Sequence, residues 1–353
     1  MKLRSWSYGA IALSVMMLVG GAAQAQDADA TPDLVPDAAD GAAEGLSPGW
    51  HPLLTVSANF ALSHNANVPG TADGLNVNFG YLIVGGLDFV SDTKEHEWAN
   101  DLSAQLGYSR TPAVDAWLKS SDTIDLKSTY LYHIPAVPWF GPFVAFRLTA
   151  PMLPGYDVRP EDTNTYSLEP GEELEIGADG NPIDPTNPAV TLDGTSDKVE
   201  SYKAGEKIDL TGAFAPLTLR ESVGLFAIPV DKRPFKLDIR AGFGAWETFV
   251  RNGYVVADNE DTANYLELQQ MQDSVQLGPE IGINISGLIK DNVNYSFNAL
   301  FMQPVYHTAD TDLEGIDLLN MEFDFHLGVK LWEWGSLDYI FKAYKLPMIY
   351  NDW

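Results

Sequence analysis

Between Leu53 and Ala343 the chain keeps returning to one rhythm, in which apolar and polar residues alternate along stretches of strand length. Successive side chains of a β-strand point to opposite faces, so each stretch has one apolar face and one polar face. Residues 53–62 set Leu54, Val56, Ala58, Phe60 and Leu62 against Thr55, Ser57 and Asn59. Residues 320–331 set Met321, Phe323, Phe325, Leu327 and Val329 against Glu322, Asp324, His326 and Lys330. Eleven such runs are legible: 53–62, 75–90, 98–109, 123–134, 142–152, 207–228, 235–249, 275–288, 293–302, 320–331 and 337–345. Near Pro216 the parity of the run 207–228 slips, and a bulge is expected there because proline gives the ladder no N–H. A parallel α/β fold is excluded, since its strands would be apolar on both faces. The runs are long enough for the roughly 9–11 residues that a tilted strand needs to cross hydrocarbon. The fold class expected is all-β: a transmembrane antiparallel up-and-down β-barrel of about 12 strands, eleven of them read directly.

The amino-terminal residues support an exported protein. Lys2 and Arg4 precede the apolar run 9–19, and Ala23-Gln24-Ala25 forms a small-residue cleavage site, so residues 1–25 are expected to be a signal peptide. Residues 26–47, rich in Ala, Pro and Asp and free of basic side chains, read as a disordered acidic periplasmic linker. The barrel is expected over 48–353. No run of ~20 apolar residues offers a membrane-spanning helix, so a membrane location would require a barrel. With no cysteine in the chain, stability must come from a hydrogen-bonded framework rather than from disulfides. The net charge of -28 argues against nucleic acid and against docking to anionic lipid through a basic patch. That charge concentrates in connections, above all in the long acidic external loop 153–206.

Connection lengths alternate. Those at 91–95, 135–138, 230–234, 289–292 and 332–336 are short, and those at 64–74, 110–121, 153–206, 250–274 and 307–319 are long. Short turns on one side and long loops on the other match periplasmic turns and external loops of a barrel in the outer membrane of a Gram-negative cell. Membrane lipid and lipopolysaccharide are then the expected partners. Trp50, Trp98, Trp139, Trp332 and Trp334 fall at strand ends on the short-turn side, where amphipathic indoles favour the membrane–water interface as a girdle. An odd strand number departs from the even count usual in bacterial barrels. Residues 347–353 adding a short twelfth strand, residues 45–50 assisting closure, or one run being two strands would each restore it.

Several phrases occur in an order that resembles a family of outer-membrane β-barrels catalogued as domain of unknown function 3078. They are Trp98-Ala99-Asn100-Asp101-Leu102, Ser121-Asp122-Thr123-Ile124 before Lys127-Ser128-Thr129-Tyr130, and Pro154-Gly155-Tyr156. Phe214-Ala215-Pro216-Leu217, Lys290-Asp291-Asn292-Val293-Asn294-Tyr295, and Gly315-Ile316-Asp317 before Glu322 complete the series. The resemblance spans most of 53–350. It implies an outer-membrane barrel and assigns neither a catalytic residue nor a substrate.

Chemistry is sparse. Gly45-Leu46-Ser47-Pro48-Gly49 fits the pattern of a nucleophile elbow, but the serine of such an elbow needs a strand before it and a helix after it. Here a linker precedes and a strand follows. The six histidines form no zinc-hydrolase spacing, and the acidic loops contain no spaced calcium loop, so neither metal nor cofactor is expected. The polar faces carry mixed charge. Asp125, Lys127, Arg147, Lys236, Asp238, Arg240, Glu280, Glu322, Asp324 and His326 are the residues expected to line the lumen, with Asp101 and Lys342 on the same faces. Near balance of sign in a barrel of ~12 strands points to salt-bridge networks that partly fill the interior, because wide pores belong to ~16–18 strands. A non-enzymatic narrow channel or structural barrel is the leading expectation. Its rivals are a surface module binding a cation or partner through the acidic loop, and a lipid-face hydrolase. A soluble lipocalin-like barrel is the architectural rival, and it would turn the apolar faces inward.

Overall fold

The computed structural model describes residues 12–17, 47–65, 74–112, 114–170, 172, 174–177, 182–184, 187–191, 198–257, 262, 265–290, 292–309, 311, 313–332 and 335–347. Eleven strands follow one another in chain order: β1 Gly49–Asn65, β2 Gly74–Val90, β3 His96–Thr111, β4 Val114–Tyr132, β5 Phe140–Ala150, β6 Leu217–Lys232, β7 Phe235–Phe249, β8 Ser274–Ile289, β9 Val293–Met302, β10 Asn320–Trp332 and β11 Gly335–Lys345. Each pairs antiparallel with the next, giving an up-and-down meander. Ala12–Met17, within the expected signal peptide, lies parallel along the outer edge of β1, with Ala12 opposite Thr55 and Met17 opposite Phe60. It is the twelfth strand of the order, and it covers edge groups of β1 that would otherwise lack partners. Tyr306–His307 adds a short pairing to β8. The expected girdle residue Trp334, the segment 348–353 and nearly all of the linker 26–47 lie outside the described residues.

Register sorts the side chains by face. One row of mutually opposed residues runs Trp50, Phe89, Trp98, Tyr130, Val144, Val223, Phe243 from β1 to β7. Every large side chain in it is apolar or amphipathic, and Val144, Val223 and Phe243 are about half exposed, at 54%, 58% and 48%. A row of opposite parity runs Asp101, Lys127, Arg147, Arg220, Trp246, Gln276 from β3 to β8. Another runs Asp238, Asn284, Asn298, Asp324, Lys342 from β7 to β11. Along β7 the contrast is direct: Phe235 and Ile239 are 39% and 36% exposed, whereas Lys236 and Asp238 are each 6% exposed. Charge is inside and hydrocarbon outside, which excludes the lipocalin-like arrangement. Residues of all ten strands β2–β11 face a single cavity, so the sheet is rolled into a barrel. Leu237, Ile283 and Phe323 share the outward parity, Ile283 standing opposite Ile239 and Phe323 packing edge-on against Phe301 at 5.5 Å.

Two connections differ from the sequence reading. Residues 207–228 are not one strand. Lys207–Thr211 pairs with Gly155–Val158 in the loop region, and β6 begins afresh at Leu217. Between them Phe214 takes a left-handed φ of 57° and Ala215–Pro216 is cis. The chain breaks where proline cannot donate, and the register shift of β6 lies further on, between Ala227 and Val230. Residues 110–121 are not a long loop either. β3 continues to Thr111 and β4 starts at Val114, with Ser109 opposite Leu118 and Tyr108 opposite Lys119. Register shifts near Gly107 and Ser109 hide this extension from a strict period of two. The extension is held by aromatic contact, since Phe79 lies 5.5 Å from Tyr108 and 5.3 Å from Trp117.

Much of the long acidic loop is folded. Val199–Tyr202, Thr163–Leu168, Leu266–Gln270 and Tyr254–Val256 form a mixed four-stranded sheet that joins the β5–β6 and β7–β8 connections. Tyr166, Leu168 and Val199 form one small core beneath it, and Ile208, Leu266 and Leu268 form another. Asp122 anchors its root, accepting from the amides of Met152 and Leu153 and pairing with Lys119 at 2.6 Å.

Inward glycines mark close backbone approach. Gly224 opposes Gly242, and a Cβ on Gly242 would sit 2.3 Å from the Val223 carbonyl oxygen and 2.9 Å from Gly224 Cα. Nothing there is a movable side-chain tip. Gly242→Ala is therefore expected to lower barrel stability by about 1–3 kcal/mol, the usual range for overpacking. Gly85→Ala, whose new Cβ meets nothing closer than 3.9 Å, serves as the neutral control. Urea midpoints in detergent, read by tryptophan fluorescence, compare the two.

Candidate functional site: a salt-bridged lumen

The inward rows converge on a cavity of about 670 Å³. Its wall carries six acids (Asp101, Asp125, Asp238, Glu280, Glu322, Asp324) and five bases (Lys127, Arg147, Arg220, Arg240, Lys342). Of the residues expected to line the lumen, Asp125, Lys127, Arg147, Asp238, Arg240, Glu280, Glu322 and Asp324 stand on this wall. Lys236 and His326 are buried within the barrel, at 6% and 9% exposure, but lie off the cavity wall.

The charges hold each other. Arg147 donates from Nε to Asp125 at 2.7 Å, and Thr149 donates to the same carboxylate oxygen. Arg240 reaches Asp238 through Nε and Nη2 at 3.1 and 2.8 Å. Arg220 on β6 crosses to Glu322 on β10 at 2.5 Å while its guanidinium lies 3.9 Å over the ring of Trp246. Strands four apart can share an ion pair only across a curved interior, so this contact braces the lumen. Glu280 accepts from Ser222 at 2.8 Å and from the Trp246 indole at 3.3 Å. Buried carboxylates without such donors would carry a desolvation cost of several kcal/mol each.

Two apolar layers bound the polar zone. Leu131, Phe143, Phe226 and Ile228 cluster toward the short-turn end, and Phe226 packs edge-on against His133 at 4.9 Å. Trp246, Met302 and Leu346 cluster elsewhere on the interior, with Leu300 against them. Phe143 and Leu346 belong to both a layer and the cavity wall, so these layers border the cavity.

Around the exterior, Trp50 lies tilted against Phe89 and Trp98 with ring centroids 4.9 and 6.0 Å away. Trp98 donates its indole N–H to Ser128 at 2.9 Å, and Trp139 is half exposed beside Phe140. Trp332 ends β10 on the same side. Ser47, the serine of the glycine-flanked motif, precedes strand β1 rather than a helix, and its carbonyl accepts from His51 at 2.6 Å.

The sequence reading missed Arg220, Trp246 and Tyr344 as parts of this site. Arg220 was hidden by treating 207–228 as one run. Restarting the alternation at Leu217 places Thr218, Arg220 and Ser222 on the polar face. Trp246 shares the parity of Asp238 and Arg240, and counting along β7 from Asp238 places it on the polar face.

Three comparisons with known proteins accompany this geometry. No family model matches the chain, and no curated protein matches it. Among solved structures, BamA from Haemophilus ducreyi lacking POTRA domains 1–3 is similar at a TM-score of 0.22 and 11% identity, over 82% of this chain and 67% of that chain. Register and burial themselves define the class: an up-and-down antiparallel barrel with an apolar exterior and a charged interior, the architecture of transmembrane β-barrels.

In the short connection after β4, His133 donates from Nδ1 to the Pro138 carbonyl at 2.6 Å, and its Nε2 lies 3.3 Å from Glu97. The Glu97 carboxylate raises the His133 pKa above its ordinary 6.5, against an opposing desolvation effect. A raised histidine pKa stabilises the fold fully below about 6.5, and that contribution fades as pH rises through the higher folded value. The unfolding midpoint of the wild type is expected to fall between pH 6 and pH 8, and that slope is expected to flatten in His133→Gln. Thermal melts in detergent at matched ionic strength measure both.

Proposed function

We propose that this chain is a non-enzymatic protein of the Gram-negative outer membrane whose barrel forms a narrow, salt-bridged channel, with short turns in the periplasm and long loops outside. The observation that carries the reading is the cavity lined from ten strands, eight of which contribute its six acids and five bases. A purely structural barrel of this size could fill its interior with hydrocarbon. Polar side chains around the cavity would keep it wet, and the apolar layer of Leu131, Phe143, Phe226 and Ile228 supplies a constriction of the kind that gates by dewetting. Near balance of sign supports weak charge selectivity, because the large negative charge of the chain sits mainly in the loops.

A second reading draws on the folded loop sheet. Its packed cores give the acidic connections a fixed surface, which suits engagement of an external partner. Deleting the segment 163–202 would then abolish partner binding while leaving the barrel and its conductance intact.

Planar-bilayer recording tests the channel. Small, weakly selective single-channel events are expected from the refolded protein. Arg220→Ala, which removes the cross-lumen brace and its side-chain volume, is expected to raise conductance by about twofold or more, as widening a polar constriction does. Phe143→Ala should also raise conductance, with a loss of about 3–5 kcal/mol of stability from the vacated volume. Silence in the wild type and in both variants, from protein with native heat-modifiable migration, would sink the channel.

A further inference from the structure

Within the outward rows of β5 to β7, a carboxylate interrupts the hydrocarbon at mid-strand. Glu221 on β6 stands opposite Phe146 of β5 and Ala245 of β7, both of outward parity, and is exposed. Along its own strand Val223 and Leu225, each about half exposed, lie toward the turns, and Leu219 and Leu217 lie toward the loops. The depth of Glu221 follows from β5, whose 11 residues are about what a tilted crossing needs. Phe146 lies past the middle of that strand, with Leu148 and Ala150 still beyond it, so Glu221 falls inside the apolar band. Among the described residues its side chain makes no hydrogen bond and no ion pair. A carboxyl group facing acyl chains is unfavourable, and ionisable side chains at membrane depth ordinarily face protein or a wet cavity.

The chemistry of the face narrows what covers it. Lipid tails are as apolar as Val223 or Leu225, so hydrocarbon contact alone gives two barrels little reason to associate, whereas a polar contact does. Two copies inserted in the same direction and related by a two-fold axis, the commonest symmetry, have that axis along the membrane normal. Each residue at such an interface then meets its equivalent at the same depth. A contact centred on β6 brings Glu221 against Glu221 of the partner subunit. Two carboxyl groups that share a proton serve each other as donor and acceptor, so the contact needs no second chemistry. A head-to-tail contact would need a cation at this depth. The outward cations of the described strands stand elsewhere: Arg110 next to the end of β3, Lys232 and Lys345 at the ends of β6 and β11, and Lys119 tied to Asp122 at the loop root.

We propose that the outer face of β5–β7 is a dimer interface, on which a second copy of this chain covers Glu221 and the two Glu221 carboxyl groups pair within the bilayer. This rests on the transmembrane reading of the barrel and is independent of conductance.

The chain has 0 cysteines, so Val223→Cys supplies a single thiol at the centre of the face. The full refolded chain in dilute proteoliposomes is treated with a short bismaleimide, and dimer is read on gels. Dimer yield from Val223→Cys should exceed several-fold that from Ile83→Cys, an outward and exposed position on β2. Adding Glu221→Leu to Val223→Cys should lower the yield by about tenfold, as loss of a polar contact between membrane segments does. Glu221→Gln, whose amide also donates and accepts, should keep it. Native heat-modifiable migration certifies the barrel in each variant. Absence of dimer, equal yields at Val223 and Ile83, an undiminished yield in Glu221→Leu, or loss of dimer in Glu221→Gln would each overturn the proposal. Monomers that conduct would remove this inference alone, and dimers without conductance would remove the channel and leave this interface standing.

Discussion

Lipid offers no partner to a backbone N–H or C=O, and each such group left bare in hydrocarbon costs several kcal/mol. The rest of this structure depends on that constraint. It explains why each strand from β1 to β11 pairs with the next without interruption in chain order. It also explains the inversion of side chains. Once neighbouring strands are paired, the apolar parity meets acyl chains at little cost, and the polar parity must turn inward. Charges placed there cannot stay isolated, so the three arginines of the cavity wall find carboxylates and Arg220 crosses the lumen to reach Glu322.

The interior is not uniformly wet. Leu82, Val84 and Val90 occupy the inward parity of β2 and are almost fully buried, as are Leu131, Phe143 and Phe226 on β4 to β6. Packing of this kind gives the barrel a conventional core over part of its height. Inward glycines work in the opposite sense, freeing volume. Gly282 opens the cavity, while the Gly224–Gly242 pair lets two backbones approach more closely than any side chain would permit. The result is a lumen of alternating hydrocarbon and ionic zones rather than a uniform tube.

The outward face was largely legible because a period of two is a local property. Trp50, Val144, Phe243 and Phe323 announce their parity through their immediate neighbours. The limits of the strands were less legible. Residues 110–121 read as a loop because two register shifts break the alternation within β3 and β4, and nothing local signals that Trp117 packs on Phe79. Candidate lumen residues on uninterrupted strands, such as Asp238 and Glu322, could be placed by counting. Arg220 could not, because Pro216 resets the count just before it. The inward hydrocarbons of β2 were illegible for a further reason: with Leu82 and Val84 on one parity and Tyr81 and Ile83 on the other, the stretch is apolar on both faces. The loop sheet was invisible because its central pairing is parallel and joins segments about a hundred residues apart, as the bond from Gln269 to Glu169 shows.

That long-range pairing has a bearing on the order of assembly. The strand Thr163–Leu168 leaves the barrel after β5, yet its neighbour Leu266–Gln270 arrives only after β7 has been laid down. The loop sheet therefore cannot form hairpin by hairpin as the strands are laid down. It must wait until two further transmembrane strands have been delivered, and its two halves meet only when the wall beneath them stands. The loop sheet is a late product of the molecule's own construction, finished only after the wall that carries it.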